Sequence, residues 1–69
     1  MKFYEVFLRL ICRGKDVGRT IMQIKSKSPF TASLEAEDII DEIYGKQFYS
    51  TTVSVDEISE DEFLFQQAS

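Results

Sequence analysis

The chain has 69 residues and a net charge of −4. Its length allows one small domain, spanning residues 1–69, and a domain of this size buries only about 60% of the surface that its unfolded chain exposes. It contains one cysteine and no histidine, which excludes an intrachain disulfide and leaves zinc without its usual nitrogen ligand. The acidic balance argues against a protein that coats nucleic acid with its whole surface. Stability must therefore come from close packing or from association.

Residues 2–27 are predicted to form a β-hairpin, because apolar residues alternate along the first segment as they do in half-buried strands. One face carries Tyr4, Val6, Leu8, Leu10 and Cys12. The other face carries Phe3, Glu5, Phe7, Arg9, Ile11 and Arg13. The glycine-flanked segment 14–18 has the composition of a turn, and Met22 and Ile24 share a face of the second strand.

A helix is predicted over about residues 33–44, with Ser33 as its N-cap because a serine hydroxyl accepts hydrogen bonds from the first turn. Its apolar stripe is Ala36, Ile39, Ile40 and Ile43, at the spacing of three and four residues that marks one helix face. Gly45 is the expected stop. An earlier start, with Ser28 as the cap and Pro29 as the first residue, is the alternative.

The third strand is predicted at residues 47–55, with Tyr49, Thr51, Val53 and Val55 on one face. A short helix is predicted at residues 60–67, because Ser59 and Glu62 match a capping box and Ile58 and Phe63 match a hydrophobic staple. The alternative for this last segment is a fourth strand through residues 63–65.

These elements predict an α+β domain in the order ββαβ followed by the short helix. Strand one is expected in the centre of a three-stranded antiparallel sheet, with the main helix across one face. The expected core is Tyr4, Val6, Leu8, Leu10, Met22, Ile24, Ile39, Ile40, Ile43, Tyr49, Val53 and Val55.

The sheet face that the main helix does not cover is unusually apolar for a solvated antiparallel face. We expect it to be an association face formed by Phe3, Phe7, Ile11, Ile21 and Phe48. Three occupants are considered, since monomers rarely leave large apolar patches bare. They are the C-terminal helix with Phe63, Leu64 or Phe65, a second copy in a homodimer, and a different protein.

Charge is divided unequally along the chain. Residues 1–27 carry seven bases and two acids, a net of +5, whereas residues 28–69 carry one base and ten acids, a net of −9. We expect the acidic helix to meet a basic surface of a partner protein through Glu35, Asp38, Asp41 and Glu42. The alternative is that these acids form an ordinary solvated helix face.

The basic hairpin supports a second hypothesis, a platform for single-stranded nucleic acid on which aromatic side chains stack bases and cations track phosphates. Its residues would be Phe7, Arg9, Arg13, Arg19 and Lys25. The chain has no RNP1-type motif, so no established RNA-binding module is indicated.

The absence of histidine removes the usual acid–base catalyst, and we expect no enzymatic activity, no cofactor and no bound metal. The favoured function is a cytoplasmic, dimeric inhibitor or adaptor that occludes the surface of a partner protein. Phage or mobile-element proteins that block host machinery or host defence belong to this class. A structural subunit of a larger assembly is the third hypothesis.

Overall fold

The computed structural model describes residues 1–45 and 47–68, with side chains described up to residue 65. Its elements are β1 (Lys2–Cys12), β2 (Lys15–Ser26), α1 (Pro29–Tyr44), β3 (Phe48–Ile58) and α2 (Glu60–Ala68). The sheet has the order β2-β1-β3, and both pairings are antiparallel. The α+β fold with a central first strand, one main helix and a short C-terminal helix is therefore confirmed.

The hairpin turn is tighter than the sequence suggested. Cys12 pairs with Lys15, so Arg13 and Gly14 form a two-residue turn, with φ angles of 54° and 79°. Positive φ at both central residues is what a type I′ hairpin turn requires, and this turn fits the twist of the flanking strands. Segment 15–18 was expected in the turn but forms the start of β2. The register of pairing between β1 and β2 shifts there, next to Val17.

The main helix begins at Pro29, so the predicted start at Ser33 is wrong and the alternative start is confirmed. Ser28 is the N-cap, and its hydroxyl accepts from the Thr31 amide at 3.2 Å. The Thr31 hydroxyl accepts in return from the Ser28 amide, also at 3.2 Å. Two reciprocal bonds and a proline at the first position outweigh a lone serine further along. The Ser33 hydroxyl donates to the Phe30 carbonyl at 2.7 Å.

We expect Ser28→Ala to lower the free energy of unfolding by about 1 kcal/mol, because the first turn loses its side-chain acceptor. Ser33→Ala is the matched control, and it should be neutral or slightly stabilising since alanine is the better helix former. Urea unfolding followed by circular dichroism measures both. A larger loss in Ser33→Ala than in Ser28→Ala would contradict the observed start.

The core lies between α1 and the facing side of the sheet. Its buried apolar residues are Tyr4, Val6, Leu8, Leu10, Ile24, Ala32, Ala36 and Ile40, with Met22 and Val55 packed against them and partly buried. Ile39 and Ile43 were expected in the core, but they are 37% and 64% exposed. The helix packs mainly on β3 and faces the sheet with residues 32, 36 and 40, so those two isoleucines fall on its flank.

A bulge in β3 explains the other errors in the expected core. Phe7 pairs with Ser54 and Leu8 pairs with Thr52, so Val53 is an extra residue with no partner on β1. The alternation on the two sides of Val53 is therefore out of phase. Tyr49 and Val53 were expected to be buried, but they are 52% and 54% exposed.

The C-terminal helix starts as its sequence predicted. The Glu62 amide donates to the Ser59 hydroxyl at 3.1 Å, which is the N-cap bond expected there. α2 then lies against β1, where the ring of Phe63 packs on that of Phe3 with centroids 4.7 Å apart. No helix within residues 1–45 and 47–68 is long and apolar enough to cross a membrane.

Candidate functional site: the open sheet face and the acidic helix

The sheet face opposite α1, called here the open face, is covered at one end only. Phe3 is half-buried there between the ring of Phe63 and the ammonium group of Lys25, which lies 5.7 Å from the ring centroid. Leu64 and Phe65 of α2 remain 54% and 71% exposed. Of the residues expected to cover the face, Phe63 alone thus contacts a ring on it.

The rest of the open face consists of rows of residues that the strand register places side by side. Phe7 of β1 is directly opposite Ile21 of β2, and Ile11 is directly opposite Tyr49 of β3. Residues opposite one another in antiparallel strands share a face. Ile21 and Tyr49 are about half exposed, at 48% and 52%. Two apolar rows therefore remain accessible.

A pair of arginines separates these apolar rows. Arg9 is directly opposite Arg19, and both are exposed. The Nε atom of Arg9 lies 3.2 Å from the Oδ2 atom of Asp16, whereas Arg19 has no ion pair with any described residue. Like charges directly opposite on neighbouring strands are destabilising, so this arginine row is not explained by sheet stability.

The structure corrects the membership of the predicted association face. Phe3, Phe7, Ile11 and Ile21 lie on the open face as expected. Phe48 does not, because it pairs with Cys12 beyond the bulge and lies on the α1 side, where its ring is 5.4 Å from that of Tyr44. Tyr49 takes the place assigned to Phe48, and nothing in the alternation of β3 signals the exchange. Homodimerisation through this face stays a prediction.

The residues proposed for nucleic-acid binding are only partly brought together. Phe7, Arg9, Arg19 and Lys25 lie on the open face, and Arg13 lies in the turn at the hairpin tip. Lys25 is paired with Phe3 at the end that α2 covers. Lys25 is exposed but lies at the opposite end of the face from the two arginines.

The four predicted acids, Glu35, Asp38, Asp41 and Glu42, are all exposed on α1. The Glu35 carboxylate accepts from the Ser26 hydroxyl at 3.4 Å. None of the four forms an ion pair with a described residue. Asp41 and Glu42 lie in the last turn, which has no basic residue, and there the negative end of the helix dipole disfavours carboxylates.

Two exposed apolar residues precede these acids on the outer side of α1. Phe30 is 62% exposed and Leu34 is 48% exposed, and the spacing of four residues aligns them with Asp38. Sequence reasoning missed Phe30 because the helix was expected to start after it, and the signal that could have found it was the Ser28-Pro29 start. Leu34 lies inside the predicted helix but outside its predicted apolar stripe.

A cavity of ≈ 460 Å³ lies between the end of α1 and the start of β3. Its lining is Asp41, Glu42, Gly45, Phe48 and Tyr49. Two of the predicted acids thus border aromatic surface. Tyr49 belongs both to this cavity and to the open face, so the two surfaces meet at that residue.

Within the described residues, no three acidic, cysteine or histidine side chains group as a metal site would require. Cys12 is a free, half-buried thiol. Comparisons of the chain with protein-family models, with curated proteins and with solved structures find no match.

Proposed function

We propose that the protein is a non-enzymatic inhibitor or adaptor that occludes a basic surface on a partner protein with the outer side of α1. The observation that carries this proposal is the continuous outer stripe of the helix, with Phe30 and Leu34 in its first half and Asp38 and Asp41 in its second. A surface that joins exposed apolar and acidic groups matches a partner patch that is apolar at one end and basic at the other.

The positions of the last two acids of α1 support a role in binding a partner rather than in folding. Asp41 and Glu42 lie where the helix dipole opposes them, and no described cation offsets them. Local rules are most often broken where a residue serves binding. A basic partner surface would neutralise these charges and steer the encounter.

Replacing both Asp41 and Glu42 by lysine should raise the free energy of unfolding by about 0.3–1 kcal/mol per charge, because cations suit the end of a helix. The same double variant should lose its partner. A loss of binding that accompanies a gain of stability cannot be attributed to unfolding. Urea unfolding provides the first measurement and partner capture the second.

The matched control is Asp56→Lys with Glu57→Lys, an equal charge change at exposed positions of β3. Wild type, variant and control are immobilised and used to capture proteins from host lysate, after nuclease treatment. The captured protein is identified by mass spectrometry, purified and titrated against each form. Retention by the control with loss by the variant supports the proposal. Equal binding by all three forms, or equal loss in both variants, overturns it.

A further inference from the structure

We propose that the tip half of the open face binds single-stranded nucleic acid, independently of the acidic outer side of α1. The observation that supports this proposal is the arginine row. Arg9 lies beside Arg19, and this pair lies between the Phe7–Ile21 row and the Ile11–Tyr49 row. Cations that alternate with aromatic and apolar side chains on an open sheet provide phosphate contacts and base stacking together.

Charge is segregated in space as well as along the chain. The hairpin tip and the arginine row carry Arg9, Arg13, Lys15 and Arg19 against one acid, Asp16. Other acids border this region: Glu5 and Asp56 lie opposite each other beyond the Phe7–Ile21 row, and Asp41 and Glu42 line the cavity that contains Tyr49. At the tip itself four cations face one acid, so a polyanion meets a locally positive surface there despite the net charge of −4.

The two aromatic residues are placed to receive bases on either side of the arginines. Phe7 is half-buried and Tyr49 is 52% exposed, so both present ring surface to solvent. Their rows are four residues apart along β1, or about 13 Å. A short single strand laid along this face would meet an aromatic ring, then the guanidinium groups, then a second ring.

A polyanion fits this face better than a second copy does. Because Phe3 is packed against Phe63, it is not fully available to a second copy, and the two remaining apolar rows are separated by two arginines. Arg19 has no counter-ion among the described residues. A phosphate would neutralise Arg19 and relieve its repulsion with Arg9, whose Nε atom already lies 3.2 Å from the Oδ2 atom of Asp16.

The test is fluorescence anisotropy of a labelled 12-nucleotide single strand, DNA and RNA in turn, titrated with the full chain at low and at moderate salt. We expect binding that weakens as salt rises. Arg9→Glu with Arg19→Glu should weaken it at least tenfold. Tyr49→Ala should weaken it about fivefold or more, as loss of base stacking does. Circular dichroism confirms that each variant is folded.

The control is Lys2→Glu with Lys27→Glu, the same charge change at exposed positions away from the arginine row, which should leave most of the affinity. Absence of binding at low salt, or an equal loss in the control, overturns the proposal. The proposal is also overturned if polyglutamate displaces the oligonucleotide and Tyr49→Ala does not change the affinity, since that result would indicate an acidic protein as the ligand. Light scattering that shows a dimer broken by the arginine changes would assign the face to a second copy and also overturn it.

Discussion

Ile40→Ala is expected to lower the free energy of unfolding by about 2–5 kcal/mol, since it removes a fully buried side chain and leaves a cavity. Ile40 is 1% exposed and is one of the largest buried side chains in the protein. A domain of this size has about 3–5 kcal/mol in total, so the variant should be largely unfolded at room temperature. Urea titration monitored by circular dichroism measures the loss.

Ile43→Ala is the matched control, because it is the same substitution on the same helix. The sequence places both isoleucines in the core, but Ile43 is 64% exposed, and its replacement should change stability by no more than about 0.5 kcal/mol. Similar losses in the two variants would mean that the orientation of α1 on the sheet is different.

The order of elements follows from local signals, and for that reason the sequence predicts it. Alternation along β1 separates the buried residues Val6 and Leu8 from the open-face residues Phe7 and Ile11. Glycine ends α1 at Gly45, where φ is 76°. Each of these signals acts through backbone geometry within a few residues, so no knowledge of the packing is needed.

The contact face of α1 depends on packing that the sequence does not display. Of the predicted stripe, the structure buries Ala36 and Ile40, whereas Ile39 and Ile43 are exposed and Ala32, which was not selected, is completely buried. Alanine contributes little apolar area, yet its small size lets a helix approach a sheet closely. Which side of an apolar helix faces inward is decided by where the helix lies over the strands, and that is a tertiary property.

The bulge in β3 cannot be predicted from the sequence for a similar reason. Segment 49–55 reads as an uninterrupted alternation, but Val53 has no partner on β1. A bulge depends on how two strands match over their whole length, not on the pattern of one strand. This single extra residue exchanges the faces of Phe48 and Tyr49, so the sequence found most of the open face but missed its tyrosine.

The acidic residues of α1 could be located from sequence because their spacing alone fixes their side of the helix. Their relation to Phe30 could not, since it depends on the start of the helix. The arginine row was also hidden, because the register that sets Arg9 opposite Arg19 follows from the two-residue turn and the shift beside Val17. The sequence therefore identifies which residue types form these surfaces, whereas the strand pairing determines how those residues are arranged.

The close approach of helix and sheet leads to a second large effect, in Ala36→Leu. Ala36 is completely buried in the core cluster, so the added carbons must displace α1 or force strained rotamers. Overpacking of this kind costs about 1–3 kcal/mol, although leucine is a good helix former. Urea unfolding should show this loss, and the amide resonances of α1 and β1 should shift in NMR spectra.

Asp38→Leu separates crowding from helix propensity, because it puts the same side chain at an exposed position of α1. Its stability should be unchanged or slightly higher, since leucine forms helices better than aspartate. If Ala36→Leu were equally harmless, a space beside Ala36 would have to exist and α1 would not be in close contact with the sheet there. If both variants lost stability alike, leucine itself would be unfavourable on this helix, and the loss could not be assigned to packing.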